Sequence, residues 1–193
     1  MNTVDQFWSW CTDTLAKELR ADIWYNGGQP YGLAGYINDF SSRMIGYATL
    51  RQVRAQNNSC HINPQMRNQI NHCTADSSML NEERSSYGMN WTEFDPGYTP
   101  PNGYSALFKS FQFRKAGELK SLPRQGAYSA YMGGGYVYEL RGKLSYIKGN
   151  LTRLQQMNWV DRQTRAVVAE FSLFNPNHYE SSSWRMRNLD FEK

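Results

Sequence analysis

Residues 129–140 read SAYMGGGYVYEL. Three consecutive glycines, Gly133, Gly134 and Gly135, lie between two tyrosine-rich runs of strand-like composition, and their role decides the fold. A phosphate cradle needs glycine-rich backbone running from a strand into a helix N-terminus, with Lys-Ser/Thr or GxGxxG spacing. Here the glycines run into YVYELR, which reads as a strand, and no Lys-Ser or Lys-Thr follows them. Glycine between strands more often marks a bulge or the close approach of another backbone. The tract is read as architecture.

Downstream, residues 143–159 (KLSYIKGNLTRLQQMNW) place Leu144, Ile147, Leu151 and Leu154 at helical spacing, through Gly149. The turn VDRQT then leads into RAVVAEFSLF, where Val167, Ala169, Phe171 and Leu173 form one face of a strand. Upstream, Phe111 and Phe113 alternate with polar residues in SFQFRK, a half-buried strand pattern. The segment from Thr74 to Tyr104 is polar and turn-rich, a long loop with at most small pieces of structure. Asn63-Pro64 starts a short helix carrying Met66, Ile70 and Cys73 on one side. TLRQVRAQ (49–56) reads as a strand. Near the N-terminus Thr3 or Asn2 caps a helix striped by Val4, Phe7, Trp8, Cys11, Leu15 and Leu19. The tail from Asn175 has no usable periodicity. The order fits an α+β fold: an antiparallel sheet with helices packed on one face and long loops. βαβ alternation is absent, which argues against a doubly wound nucleotide fold.

At 193 residues, 40% hydrophobic and 15% aromatic, the chain is long and apolar enough for one domain with its own core. The charge of +4 is spread without a block of five Lys/Arg, so no nucleic-acid partner is expected. No apolar run approaches the roughly 18–20 residues of a membrane span, and no signal peptide is visible.

Cys60-His61 and His72-Cys73 bracket the short helix, but adjacent Cys and His side chains diverge where zinc sites use CxxC or HxxxH pairs. A Cys60–Cys73 disulfide is the better reading, worth about 3 kcal/mol in the chain-entropy model, with Cys11 left as a free core thiol. Such a bridge requires an oxidising compartment. Asn57, Asn90 and Asn150 each begin a glycosylation acceptor triplet, in weak agreement. No nucleophile elbow, HExxH or carboxylate-framed histidine is present, and His61, His72 and His178 lie in polar surroundings. The expectation is a non-enzyme without cofactor or metal.

Taken in order, LRQVRAQNNSC (50–60), Cys73, NW (90–91), YMGGGYVYEL (131–140) and NWVDRQTRAVVAEFSLFNPN (158–177) resemble the extracellular polycystin domain. That domain belongs to the TRP-type cation channels and receptor-like proteins of the polycystin family. The resemblance implies an extracellular or lumenal domain set between two membrane helices, four copies of which form a lid over the pore and contact their neighbours. Its partners would be other polycystin subunits in a homo- or hetero-tetramer, tied to a plasma or ciliary membrane by flanking helices outside this chain. Cys60 and Cys73 match the family's disulfide pair and Asn57 its glycan. Gly133, Gly134, Gly135 and Tyr136 match a sheet element, and Trp159, Asp161, Arg162 and Arg165 the turn between the last helix and last strand. Asp161 would cap that turn while the arginines pair with carboxylates or carbonyls. The resemblance assigns residues 1–177 to the domain and leaves 178–193 as a divergent tail. Exposed aromatics also suit a secreted carbohydrate- or protein-binding module, the alternative reading.

Overall fold

The computed structural model describes residues 3–20, 23, 26–28, 35–39, 41–57, 59, 62–66, 68–69, 81–126 and 129–175, together with the backbone of 185–190. Thr3 caps the first helix, its hydroxyl accepting from the Gln6 amide at 3.2 Å. The helix runs as α1 (Val4–Ser9), a π-helical stretch (Trp10–Leu15) and α2 (Ala16–Glu18). The wider π turn keeps Cys11 and Leu15 buried on the face already occupied by Phe7 and Trp8. Val4 is the exception to the sequence stripe and is exposed.

The sheet has five strands, all paired antiparallel: β1 (Arg43–Arg54), β2 (Phe113–Arg114), β5 (Gly135–Leu140), β6 (Thr164–Phe174) and β7 (Arg185–Asp190), in the order β2-β5-β1-β6-β7. A separate hairpin pairs β3 (Arg124–Gln125) with β4 (Ala130–Tyr131). β1 is central, with Leu50 opposite Tyr138 on one side and Ala169 on the other. Leu50, Tyr136, Tyr138, Val167, Ala169 and Leu173 bury their side chains in the core shared with the helices.

Helix α5 (Leu144–Gln156) supplies Ile147, Leu151 and Leu154, all fully buried. It ends with Asn158 in the left-handed region (φ 50°), and the Trp159 amide returns to the Leu154 carbonyl at 3.0 Å. This is a Schellman-type stop, and it drives Trp159 into the core, where it is fully buried.

The α+β architecture agrees with the sequence reading, as do α5 and β6. Phe171 is only partly buried, against the edge of the core. The SFQFRK strand shrinks to the two residues of β2. Before it lies a helix, α3 (Ser105–Lys109), whose turn buries Phe111 without strand pairing. The expected helix from Pro64 begins as a single 3-10 turn, Pro64–Met66, with Met66 exposed; Ile70 and Cys73 lie outside the described residues. In the long loop, Met89–Trp91 forms a short turn and Glu82 bridges to Ala55. The tail contributes β7 against β6 through backbone pairing, which side-chain periodicity does not signal. A further short helix, α4 (Ala116–Leu119), links β2 to the hairpin.

Candidate functional site

β1 carries two arginines into the interior, and around them the scattered motifs of the sequence meet. Arg51 is 1% exposed, on the face of the sheet opposite α1 and α5. Its Nη1 donates to the carbonyls of Met132 (2.9 Å) and Gly134 (3.1 Å), and its Nη2 to Glu170 (3.4 Å). Glu170 also takes Arg124 Nε at 3.6 Å and the Ser121 hydroxyl at 3.4 Å. The glycine tract thus presents carbonyl oxygens to a cation, the reverse of the amide cradle a phosphate requires.

The tract must lie this close for the arginine to reach it. At Gly134 a Cβ would meet the Phe113 ring at 2.9 Å and the Arg114 carbonyl at 3.1 Å. At Gly135, where φ is +150°, a Cβ would sit inside the van der Waals shell of the Gln52 carbonyl oxygen on β1. Gly133 is likewise pressed on the Ser121 carbonyl. The Met132 amide donates to Glu82 at 2.7 Å. Burial raises the Glu82 carboxyl, against the opposing pull of that amide, Arg84 and Arg51.

Three residues on, Arg54 is 3% exposed. Its Nη2 donates to Asp161 at 2.9 Å and also to Gln163, and its guanidinium lies 3.3 Å from the Trp91 ring centroid. Burial pulls the Arg54 guanidinium down and Asp161 pushes it back up; arginine stays charged regardless. Asp161 Oδ1 accepts from the Gln163 amide (3.0 Å) and the Thr164 hydroxyl (3.3 Å), so Asp161 caps the turn before β6. Between the arginines, Gln52 points to the helix side. Its amide donates to the Trp159 carbonyl at 2.7 Å and to the Thr164 hydroxyl. Trp159 Nε1 reaches the Ser110 carbonyl at 2.9 Å, and Trp91 Nε1 the Asn158 carbonyl at 2.8 Å. Trp91 also stands edge-on to Phe111 (4.9 Å) and Tyr136 (5.1 Å).

Of the residues singled out by sequence, the structure brings the glycines, Tyr136, Trp159 and Asp161 into this one assembly. Tyr136 is fully buried and its hydroxyl donates to the Ser85 carbonyl at 2.8 Å; burial raises its phenol. Arg162 is exposed on the turn, with its carbonyl accepting from Arg165 Nη1 at 3.2 Å. The arginine lock itself was the missed element. The Arg-rich strand was visible as a motif, but nothing in it announces that Arg51 and Arg54 are buried, or that Trp91 and Glu170 receive them.

Asn57 and Asn90 are exposed, the latter with φ 58°. Asn150 is 1% exposed inside α5, with Oδ1 accepting from Arg153 at 3.3 Å. Cys60 and Cys73 lie outside the described residues, as do His61, His72 and His178. Cys11 is a free, buried thiol that burial pushes up. Among the described residues no group of acidic, His and Cys side chains is placed to hold a metal, and no helix is long and apolar enough to cross a membrane.

The family model for the polycystin domain matches residues 1–183. The chain is 35% identical over 173 residues to Location of vulva defective 1 of Caenorhabditis elegans, covering 89% of this chain and 5% of that protein. It is 27% identical over 177 residues to Polycystin-2 of Danio rerio, covering 92% and 18%. Against Polycystin-1-like protein 3 of Mus musculus it is 28% identical over 180 residues, covering 92% and 7%. The chain spans less than a fifth of the length of each of these relatives.

Proposed function

The chain belongs to the polycystin-domain family, and from that premise we propose that it is the extracellular assembly and regulatory domain of a polycystin cation channel or receptor-like polycystin. In this role it caps the pore and contacts neighbouring subunits, and it performs no catalysis. The observation that carries this reading is the arginine lock. Two buried cations tie β1 to the glycine tract, to β6 and to the Trp91 loop, making a stiff body able to pass displacement between a pore and its neighbours. Partners are then other polycystin subunits, and the link to the membrane runs through helices outside residues 1–193. The oxidising face of the plasma or ciliary membrane suits a Cys60–Cys73 bridge and glycans on Asn57 and Asn90. The domain proper is taken as residues 1–177, and the divergent tail of 178–193 adds β7 to its sheet.

A second reading, a secreted carbohydrate- or protein-binding module, draws on the exposed rings of Phe94 and Tyr98 beside Phe108, at centroid distances of 6.3 and 5.5 Å. Expression of the complete gene product in cultured cells, with an epitope inserted after Gly103, separates the two. Antibody labelling of intact cells and an epitope retained in the membrane fraction support the proposal. Release of the epitope into the medium, or labelling only after permeabilisation, overturns it.

A further inference from the structure

A groove of about 770 Å³ opens along one edge of β5, within the roughly 300–1,000 Å³ typical of ligand clefts. β2 pairs with β5 only at Gly135 and Tyr136, because the chain before Phe113 turns away into α3. Val137, Tyr138 and Glu139 therefore keep that edge without a strand partner among the described residues, and all three line the groove. One wall holds Lys109 of α3 with Tyr146 and Asn150 of α5; the other holds Arg114, Glu118 and Arg141.

The polar groups of this groove are unevenly matched. Glu139 serves two cations at once, Arg114 at 3.3 Å and Arg141. Lys109 has no carboxylate at ion-pair distance among the described residues. Asn150 is 1% exposed and lines the groove beside Tyr138, whose hydroxyl it hydrogen-bonds.

We propose that this groove binds an extended peptide segment of another chain, which adds as a strand to β5 and delivers an acidic side chain to Lys109. The backbone of Val137–Glu139 supplies the strand bonds, and alternate side chains of the guest face opposite walls. One set meets Lys109, Asn150 and Tyr146; the next meets the Arg114, Glu118 and Arg141 wall. With three cations against two carboxylates along the groove, an acidic guest is favoured over a basic one. The proposal does not depend on the channel reading.

The test titrates the isotope-labelled 193-residue chain with a blocked pentapeptide of valine and threonine carrying a central glutamate, followed by amide chemical shifts. The expected result is saturable shifts at Val137–Glu139. Replacing the central glutamate with lysine should weaken binding about tenfold, and proline there should abolish it. Lys109→Glu, at an exposed position, should reverse the preference between glutamate and lysine peptides. No shift at the β5 amides at millimolar peptide overturns the proposal. So does binding that ignores the charge of the central residue in the wild-type chain.

Discussion

Replacing Arg51 with methionine keeps most of the buried volume and removes the charge at the centre of the lock. Two charge-assisted bonds are lost, to the carbonyls of Met132 and Gly134, each worth roughly 1.5–3 kcal/mol. Glu170 is 25% exposed and retains Arg124 and Ser121, so the loss of its third partner adds under about 1 kcal/mol. Against these losses stands the relief of desolvation, since Arg51 Nε has no acceptor among the described residues and an apolar chain of similar volume recovers part of the burial penalty. The balance is a destabilisation of about 2–4 kcal/mol, a large share of the 5–15 kcal/mol that holds a domain folded. With a urea slope of roughly 2 kcal/mol/M, the unfolding midpoint should fall by about 1–2 M at unchanged slope. Arg51→Lys should fall between, because an ammonium lacks the planar fork that meets two carbonyls and a carboxylate together. A shift below about 0.5 kcal/mol for Arg51→Met, the range of an ordinary surface change, would refute the lock.

Gly135→Ala should cost about 2–4 kcal/mol through positive φ and contact with the Gln52 carbonyl, while ATP or phosphate leaves the melting temperature of the wild type unchanged; stabilisation by nucleotide would contradict the architectural reading. Trp91→Ala removes the face on which Arg54 lies and the packing against Phe111 and Tyr136, a loss of about 2–4 kcal/mol with faster proteolysis in the 82–104 loop. The Glu82 carboxyl is raised by burial, so its contribution to stability is full below the unfolded pKa of about 4.3 and declines as pH rises through the higher folded value. Urea unfolding of Glu82→Gln should therefore lose less stability than the wild type between pH 4 and pH 7, and an identical pH dependence would count against it. Cys11 should resist a thiol reagent until the domain unfolds, since it is buried and its thiol is raised.

The elements that announced themselves in the sequence are those governed by local pattern. Ile147, Leu151 and Leu154 fall on one helical stripe, and the alternation of Val167, Ala169 and Leu173 fixes the core face of β6. The glycine tract was legible because its flanks lacked a helix to complete a phosphate loop. The lock was not, because its partners lie 81 to 119 residues from Arg51 along the chain, and arginine is among the residue types least often buried. SFQFRK misled through its alternation: Phe111 is buried by the turn after α3 and not by pairing in a strand. The burial of Asn150 was not legible either, since a tripeptide pattern carries no information about which side of α5 faces the sheet.

The central claim is that this domain holds polycystin subunits together above a pore. Its most direct test is the mass of the complete gene product in detergent, by light scattering, with and without residues 1–177. The account predicts four copies per particle with the domain present and a shift toward smaller species when it is deleted. A particle of one copy with the domain intact, or a tetramer indifferent to its removal, would contradict it.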